Sequence, residues 1–382
     1  MKKIVHIMIS AFYKEGAGYQ ENLMSRAHKR MGLDVTIITS QFCLDNSGKV
    51  SLRSDGTYIN ADGIKVIILR NNKRYPLLSP FQNRCNGLKE VLTAEHPDCI
   101  FMHNIEYMDS YVVAKYAASH NIPLYCDNHA DYYNTPLRSI SDKILRRIQR
   151  IPLANYVAKR SIKIWGTTPW RVQYLQDYYK ISPDKTDFLV LGADETLIRW
   201  DDRQQIREEV RLKYHIAEND FLIITGGKIN KEKNIHLLAK AVSELPIDNL
   251  KLLIFGEPDE AVATYLSECD EKKVLKIGWV NSNDVYDLYL ASDLGFFPGT
   301  HSVLWEQAVA CGLPAVFKLW DGMKHVNVNG NAILLEDVTV SAIKNTITQI
   351  ISTDLYAQMQ DAAVSARSGF MYCDIAKKAI GL

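Results

Sequence analysis

The chain reads as an α/β protein of two consecutive domains, each a doubly wound parallel sheet, facing a central cleft. Three observations predict this class. Short apolar runs recur along the 382 residues, separated by intervals long enough for a helix. The runs are apolar at successive positions instead of alternating, as strands covered by helices on both faces must be. The pattern then starts afresh past the middle of a chain that is long for a single core.

In the first half the expected strands are residues 4–9, 34–39, 65–69, 99–103, 124–127 and 163–167. Between the first two, residues 17–31 carry apolar side chains at near-helical spacing and stop at Gly32, a residue suited to a helix C-terminus. A strand-like run at 188–191 ends in Gly192-Ala193-Asp194, and a charged helix over 203–214 follows it. The second half repeats the rhythm, with strands at 221–225, 250–255, 274–277, 294–297 and 315–317 and a helix over 235–245. These boundaries predict Rossmann-like domains over residues 1–195 and 196–365. The closing segment, 366–382, is expected as a helix packing back towards the first domain. No short repeat and no low-complexity tract interrupts the pattern.

Composition narrows the function classes. With 45 basic against 44 acidic residues the net charge is +1. A global polyanion-binding surface is not indicated, so no nucleic-acid partner is expected. Seven scattered cysteines form no CxxC pair and read as reduced thiols in a cytosol. The N-terminal MKKIVHIMIS resembles a signal peptide faintly. The apolar run is too short, however, and Tyr13-Lys14-Glu15-Gly16 stands where a small-residue cleavage site belongs, so it reads as a buried first strand. No apolar stretch approaches the roughly 20 residues that span a bilayer. The expectation is a cytoplasmic protein whose membrane contact, if any, is peripheral at the inner face. The stretch from Arg138 to Lys163 bears on that contact, because eight Lys/Arg face the single acid Asp142 there and apolar residues interleave at helical spacing. It reads in two ways: as a core-packed helix with a solvated basic face, or as a surface for an anionic membrane.

Three constellations carry candidate chemistry. Glu15-Gly16-Ala17-Gly18-Tyr19-Gln20 follows the first strand and opens a helix. Glycines there let backbone amides approach a ligand, and the helix N-terminus favours an anion. The full G-x-G-x-x-G fingerprint is missing, and Ser40-Gln41 stand where a ribose-reading acid would follow strand two, which disfavours a dehydrogenase. A tight strand-to-helix turn is the plainer reading. Next, Gly226-Gly227-Lys228-Ile229-Asn230-Lys231-Glu232-Lys233-Asn234 follows the first strand of the second half. Lys228 and Lys233 would offset the charge of a diphosphate, unless they are ordinary surface lysines. Last, a polar loop, Pro298-Gly299-Thr300-His301-Ser302, leads into a helix whose early turn holds the carboxylate Glu306 among apolar neighbours. That carboxylate suits the two hydroxyls of a ribose, or serves only the helix dipole.

Taken together, Gly16 to Asn22, the Gly227–Lys233 loop and the Glu306-to-Pro314 helix resemble the retaining glycosyltransferases of family four, which have the GT-B fold. Supporting matches are Gly278-Trp279-Val280, Leu288-Tyr289-Leu290-Ala291-Ser292-Asp293 and Leu191-Gly192-Ala193-Asp194. The resemblance implies that Lys228 and Lys233 hold the diphosphate of a nucleotide-sugar donor and stabilise its departure. It implies that Glu306 accepts ribose hydroxyls and that Gly18, with Gly16, Gly227 and Val280, belongs to the donor site. The family usually has Arg where Lys228 stands, and Lys lacks the bidentate fork. The first glutamate of the family's E-x7-E motif has no counterpart, since Pro298 occupies the position eight residues before Glu306. Thr300, His301 and Ser302 are the polar replacements.

In the first half, Asp127-Asn128-His129-Ala130-Asp131 leaves a strand at the edge where such folds bind ligands. His129 matches a histidine that the family places beside the reacting sugar; a satisfied structural histidine is the alternative. His103, Glu106 and Asp131 are candidates for the acceptor side. No HExxH, EF-hand loop or well-placed DxD is present. The expectation is no essential metal and no cofactor besides the nucleotide-sugar co-substrate, with a glycan or lipid-linked saccharide as acceptor. The rivals are a nucleotide-sugar epimerase or hydrolase and a partner protein that binds a nucleotide sugar or glycan without turnover.

Overall fold

Residues Ile4, Val5, Ile7 and Met8 are all buried on one strand, although successive side chains on a strand point to opposite faces. Such a strand can only lie between two layers of helix. The computed structural model, which describes residues 2–10, 13–44, 50–72, 84–134, 143–144 and 146–382, shows that arrangement twice. The chain divides into two units, Met1–Val190 with Tyr372–Leu382, and Leu191–Met371.

The first unit contains strands β1 (Lys3–Met8), β2 (Asp34–Ser40), β3 (Phe42–Leu44), β4 (Val50–Leu52), β5 (Gly56–Ile59), β6 (Lys65–Leu69), β7 (Cys99–His103), β8 (Leu124–Asn128), β9 (Lys163–Gly166) and β10 (Thr186–Phe188). Its helices are α1 (Gln20–Arg30), α2 (Leu88–Glu95), α3 (Ser110–Ser119), α4 (Ile151–Ala158) and α5 (Pro169–Asp177). Among the described residues the main sheet runs β10-β9-β8-β7-β1-β2-β6-β5, parallel except for β5. One face is the core around Val5, Ile7, Ile100, Met102 and Leu124. The other holds Ile4, Met8, Leu23, Ile37, Phe101 and Trp165. The C-terminal helix Tyr372–Ala379 covers this second face with Tyr372, Ile375, Ala376 and Ala379, and Trp165 Nε1 donates to the Ala379 carbonyl at 2.9 Å.

The second unit contains β11 (Phe221–Gly226), β12 (Leu250–Phe255), β13 (Val274–Lys276), β14 (Leu294–Phe297), β15 (Ala315–Lys318) and β16 (Ala332–Leu335). Its helices are α6 (Arg203–Lys213), α7 (Ile235–Glu244), α8 (Glu260–Ser267), α9 (Val285–Ala291), α10 (Leu304–Ala310), α11 (Val340–Ser352) and α12 (Leu355–Ala366). The described strands are parallel, in the order β13-β12-β11-β14-β15-β16. Winding reverses between β11 and β14. In the first unit it reverses between β1 and β7. Ligands of open parallel sheets bind at the carboxyl ends of the strands flanking such a reversal.

The structure departs from the sequence reading at several boundaries. Helix α1 starts at Gln20, three residues after the expected 17, because Gly16 takes φ 74° and the turn Lys14–Ala17 precedes the helix. The strand expected at 188–191 is β10, ending at Phe188, and the chain leaves the first unit at Val190 instead of 195. It returns at Tyr372, not 366, after the 3-10 turn Arg367–Phe370. Strands β3, β4, β5 and β16 were not expected. Val50, Leu52 and Ile59 are at least half exposed, so no buried run marks β4 or β5, and β3 is only three residues long. The basic stretch is partly outside the described residues. Its described part holds a π-helical turn, Arg146–Arg150, then α4.

Candidate functional site

Three loops leave neighbouring strands of the second unit at one edge: after β11, after β14 and after β15. The first turns through Gly227 at φ 97°. The second passes so close to the first that a Cβ on Gly299 would lie 2.3 Å from Lys233 Cα. Backbone and side chains join the two. Thr300 N donates to the Glu232 carbonyl at 3.3 Å, and Asn234 Nδ2 to the Pro298 carbonyl at 3.0 Å. Lys233 Nζ donates to the Thr300 carbonyl at 2.6 Å. Burial pushes this ammonium down to about 8, with Lys228 adding to the effect and Glu232 opposing it. Lys228 itself is exposed.

Glu306, in the first turn of α10, is fully buried yet not alone. His301 Nε2 lies 2.8 Å and His325 Nε2 2.9 Å from the same oxygen, Oε1. Both rings must therefore carry their proton on Nε2. Burial would raise the carboxyl, but the two imidazoles more than reverse that and hold it well below the usual carboxylate range. Its second oxygen, Oε2, is buried with no hydrogen-bond partner. A buried acceptor left open costs free energy in the unliganded protein and marks where a donor is received. Trp305 fixes the start of the helix by stacking on Phe317 at 4.7 Å.

In the first unit the register sets His103 of β7 opposite Asp127 of β8, and His103 Nδ1 is 2.6 Å from Asp127 Oδ2. Asp127 Oδ1 accepts from Asn104 N at 3.1 Å and lies 3.5 Å from His129 Nε2. Burial would raise the Asp127 carboxyl, yet His103 and His129 bring it far below its ordinary value. Burial would lower His129, and Asp127 more than offsets this, so the imidazole titrates above its usual range.

Residues 206–366, in the second unit, match the model of the glycosyl transferases group 1. Similar solved structures include a glycosyltransferase from Rickettsia africae (16% identity, 100% and 97% of the two chains, TM-score 0.73). Another is Anabaena Alr3699/HepE in complex with UDP and glucose (17% identity, 99% and 98%, TM-score 0.66). A third is WaaG, a glycosyltransferase involved in lipopolysaccharide biosynthesis (16% identity, 99% and 98%, TM-score 0.60). These likenesses show that the chain has the GT-B fold. A Listeria monocytogenes protein described as a UDP-N-acetylglucosamine 2-epimerase shares the architecture. No protein of curated function matches the sequence.

Within the second unit the expected residues gather unevenly. Lys233, Thr300, His301 and Glu306 come together, but Thr300 acts through its carbonyl and His301 is turned onto Glu306. Ser302 Oγ accepts from Leu304 N at 3.3 Å, a turn at the head of α10. Gly227 stands in the same loop system, whereas Val280 lies past β13, the edge strand, beside Trp279. Gly16 and Gly18 belong to the first unit, ahead of α1. Of the acceptor-side candidates, His103 is fully buried and so cannot meet an acceptor. Glu106 accepts from Tyr179 Oη and lies 3.8 Å from Arg150. Asp131 accepts from the amides of Tyr133 and Asn134 and pairs with Arg171 at 3.1 Å, so it shapes the loop that carries His129.

His325 was missed by the sequence reading. Its signal is positional: it follows β15, next to β14, so its loop opens at the edge that holds Glu306. Two triads, His103–Asp127–His129 and His301–Glu306–His325, bring possible metal donors close together. Two ligands of one zinc ion stand about 3.4 Å apart, given bonds near 2.1 Å in a tetrahedron. The 2.6, 2.8 and 2.9 Å contacts are instead hydrogen bonds.

Proposed function

We propose that this protein moves a sugar from a nucleoside-diphosphate donor to a hydroxyl of a glycan or lipid-linked saccharide, with retention, in surface polysaccharide synthesis. The observation that carries the reading is Lys233. In a group 1 domain, its ammonium is held by backbone carbonyls at the sheet's reversal point, in the loop system that also carries the open oxygen of Glu306. That pair suits a ribose and a diphosphate. HepE, similar in fold, is complexed with UDP and glucose, and WaaG's role in lipopolysaccharide synthesis supports the acceptor class.

Lys228 and Lys233 would offset the charge that grows on the leaving diphosphate. The bond from the anomeric carbon to the diphosphate oxygen breaks, and the acceptor oxygen bonds to that carbon on the same face. The acceptor's proton passes to the departing diphosphate. The two ammonium groups do the work otherwise given to a divalent cation, so no metal is required. His129 is assigned to a hydroxyl of the sugar. Retention rests on the family resemblance. An epimerase would need free carboxylates at the sugar; Asp127, Asp131 and Glu106 are each engaged.

Among the described residues no helix is long and apolar enough to cross a membrane. Ile144 and Ile148, 53% and 73% exposed beside the exposed Lys143 and Arg147, support peripheral contact with an anionic inner-membrane face. The test is a metal-free thermal-shift panel of UDP, GDP, ADP, CMP and common nucleotide sugars. The expected result is stabilisation by one diphosphate class, lost in Glu306→Ala and in Lys228→Ala/Lys233→Ala. No stabilisation of the folded wild type by any of them would overturn the reading.

A further inference from the structure

A line of hydrogen bonds crosses the core of the first unit. Asp127 Oδ2 meets His103 Nδ1 at 2.6 Å, and His103 Nε2 meets His6 Nδ1 at 3.2 Å. His6 Nε2 then meets His28 Nδ1 at 2.9 Å, and His28 Nε2 meets the Ala376 carbonyl of the C-terminal helix at 2.9 Å. All four side chains are fully buried. These histidines sit on β1, α1 and β7, and the function proposed above makes no use of His6 or His28.

Counting protons decides their states. A carbonyl only accepts, so His28 Nε2 carries a proton. A neutral His28 then accepts at Nδ1, so His6 carries its proton on Nε2 and accepts at Nδ1. By the same step His103 carries a proton on Nε2. The 2.6 Å link to Asp127 still needs one more, or two lone pairs would face each other. Four links require four protons, and three neutral histidines supply three. Asp127 Oδ1 also accepts from Asn104 N, which favours the ionised carboxylate. Burial, with neighbouring histidines, drives His6 well below its ordinary range, and burial pushes His28 down to about 4, so neither ring takes the extra charge.

We propose that His103 is a buried imidazolium, ion-paired with Asp127 and held by the histidine line. It acts as a positioning residue: its charge offsets that of Asp127 and limits how far the Asp127 carboxylate raises the proton affinity of His129. Among the described residues, the titratable groups facing His103 are Asp127 from β8, His6 from β1 and His28 from α1. His129 faces Asp127, Glu21 from α1 and Arg171 from α5.

The experiment is long-range proton–nitrogen NMR on the full chain with 15N-labelled histidine, assigned by single substitutions at the histidines outside the line. Both His103 nitrogens are expected to be protonated at pH 7.5, and His6 and His28 to carry their proton on Nε2 alone. His6→Leu removes the acceptor of the His103 Nε2 proton, so His103 should lose one proton and the titration of His129 should move to higher pH. His6→Gln offers an oxygen to His103 and an amide to His28, and should restore both signatures. A bare His103 nitrogen in the folded wild type overturns the proposal, as does an unmoved His129 in folded His6→Leu. Since the inference about His129 rests in part on the proposed transfer reaction, the pH profile of kcat/KM is read separately. If the NMR signatures hold but the rate profile of His6→Leu matches the wild type, the proton line stands and His129's role in transfer fails.

Discussion

At the residue scale, two side chains govern the proposed donor site. Lys233 keeps its charge only below about 8, because it is held away from water. Free protein therefore binds a diphosphate less well as pH rises through that value, since the neutral amine attracts no phosphate. Binding of UDP followed by calorimetry from pH 6.5 to 9.5 should weaken on that limb, and Lys233→Met should be weaker at pH 7 by about 10- to 100-fold, with the limb flattened. Glu306 makes a separate statement about the sugar of the nucleotide. With Oε1 taken by His301 and His325, only Oε2 is open to a ribose hydroxyl. The wild type should bind UDP about tenfold or more tightly than 2′-deoxy-UDP, and Glu306→Gln should lose most of that preference. Equal binding of both nucleotides by the wild type would remove Glu306 from the ribose.

At the element scale, the site depends on how closely two loops approach. Gly299 lies against Lys233 with no space for a side chain, and hydrogen bonds from Thr300, Asn234 and Lys233 bind the loops beside it. Gly299→Ala should force them apart, costing about 1–3 kcal/mol of stability. The same change should weaken UDP binding more than substitutions on exposed α6, such as Gln204→Ala. Denaturant unfolding and UDP titration of the same samples check both. The strand order explains why these loops meet at all: β11, β14 and β15 are neighbours, so their carboxyl ends carry Lys233, Glu306 and His325 to one edge. Sequence spacing pointed to Lys233 and Glu306 because both stand in strand-to-helix segments with unusual residue patterns. It was silent on His325, since a loop histidine after the next strand acquires meaning only once the strand order is known.

At the scale of the whole molecule, the chain returns to its first unit. Tyr372, Ile375, Ala376 and Ala379 seal the face that holds the histidine line, and His28 ends its hydrogen bonds on Ala376. Burying Tyr372 and Ile375 contributes about 3–6 kcal/mol. In a unit of this size 1 kcal/mol moves Tm by about 2–4 °C. Removing residues 372–382 should therefore lower the Tm of the first unit by roughly 10–20 °C, with hydrogen exchange rising first around Leu23, Met24 and Trp165. Unchanged exchange at those residues would show that the helix does not stabilise this face.

What the sequence determined by itself was the set of buried strands and the loops richest in chemistry. Both follow from local rules: doubly covered strands must be apolar at every position, and close loop approaches demand glycine, as at Gly227 and Gly299. Strands β3 to β5 escaped because each is three or four residues long, and β4 and β5 leave Val50, Leu52 and Ile59 exposed instead of forming a buried run. Tertiary structure decided the rest. It tied Asp131 and Glu106 into loop scaffolding, turned His301 onto Glu306 and placed His103 in the core. It also set His6, His28 and His103 in one line from Asp127 to Ala376. A hydrogen bond joins atoms that are close in space, and residues 6, 28, 103, 127 and 376 become close only when strand order, register and the returning helix are all in place.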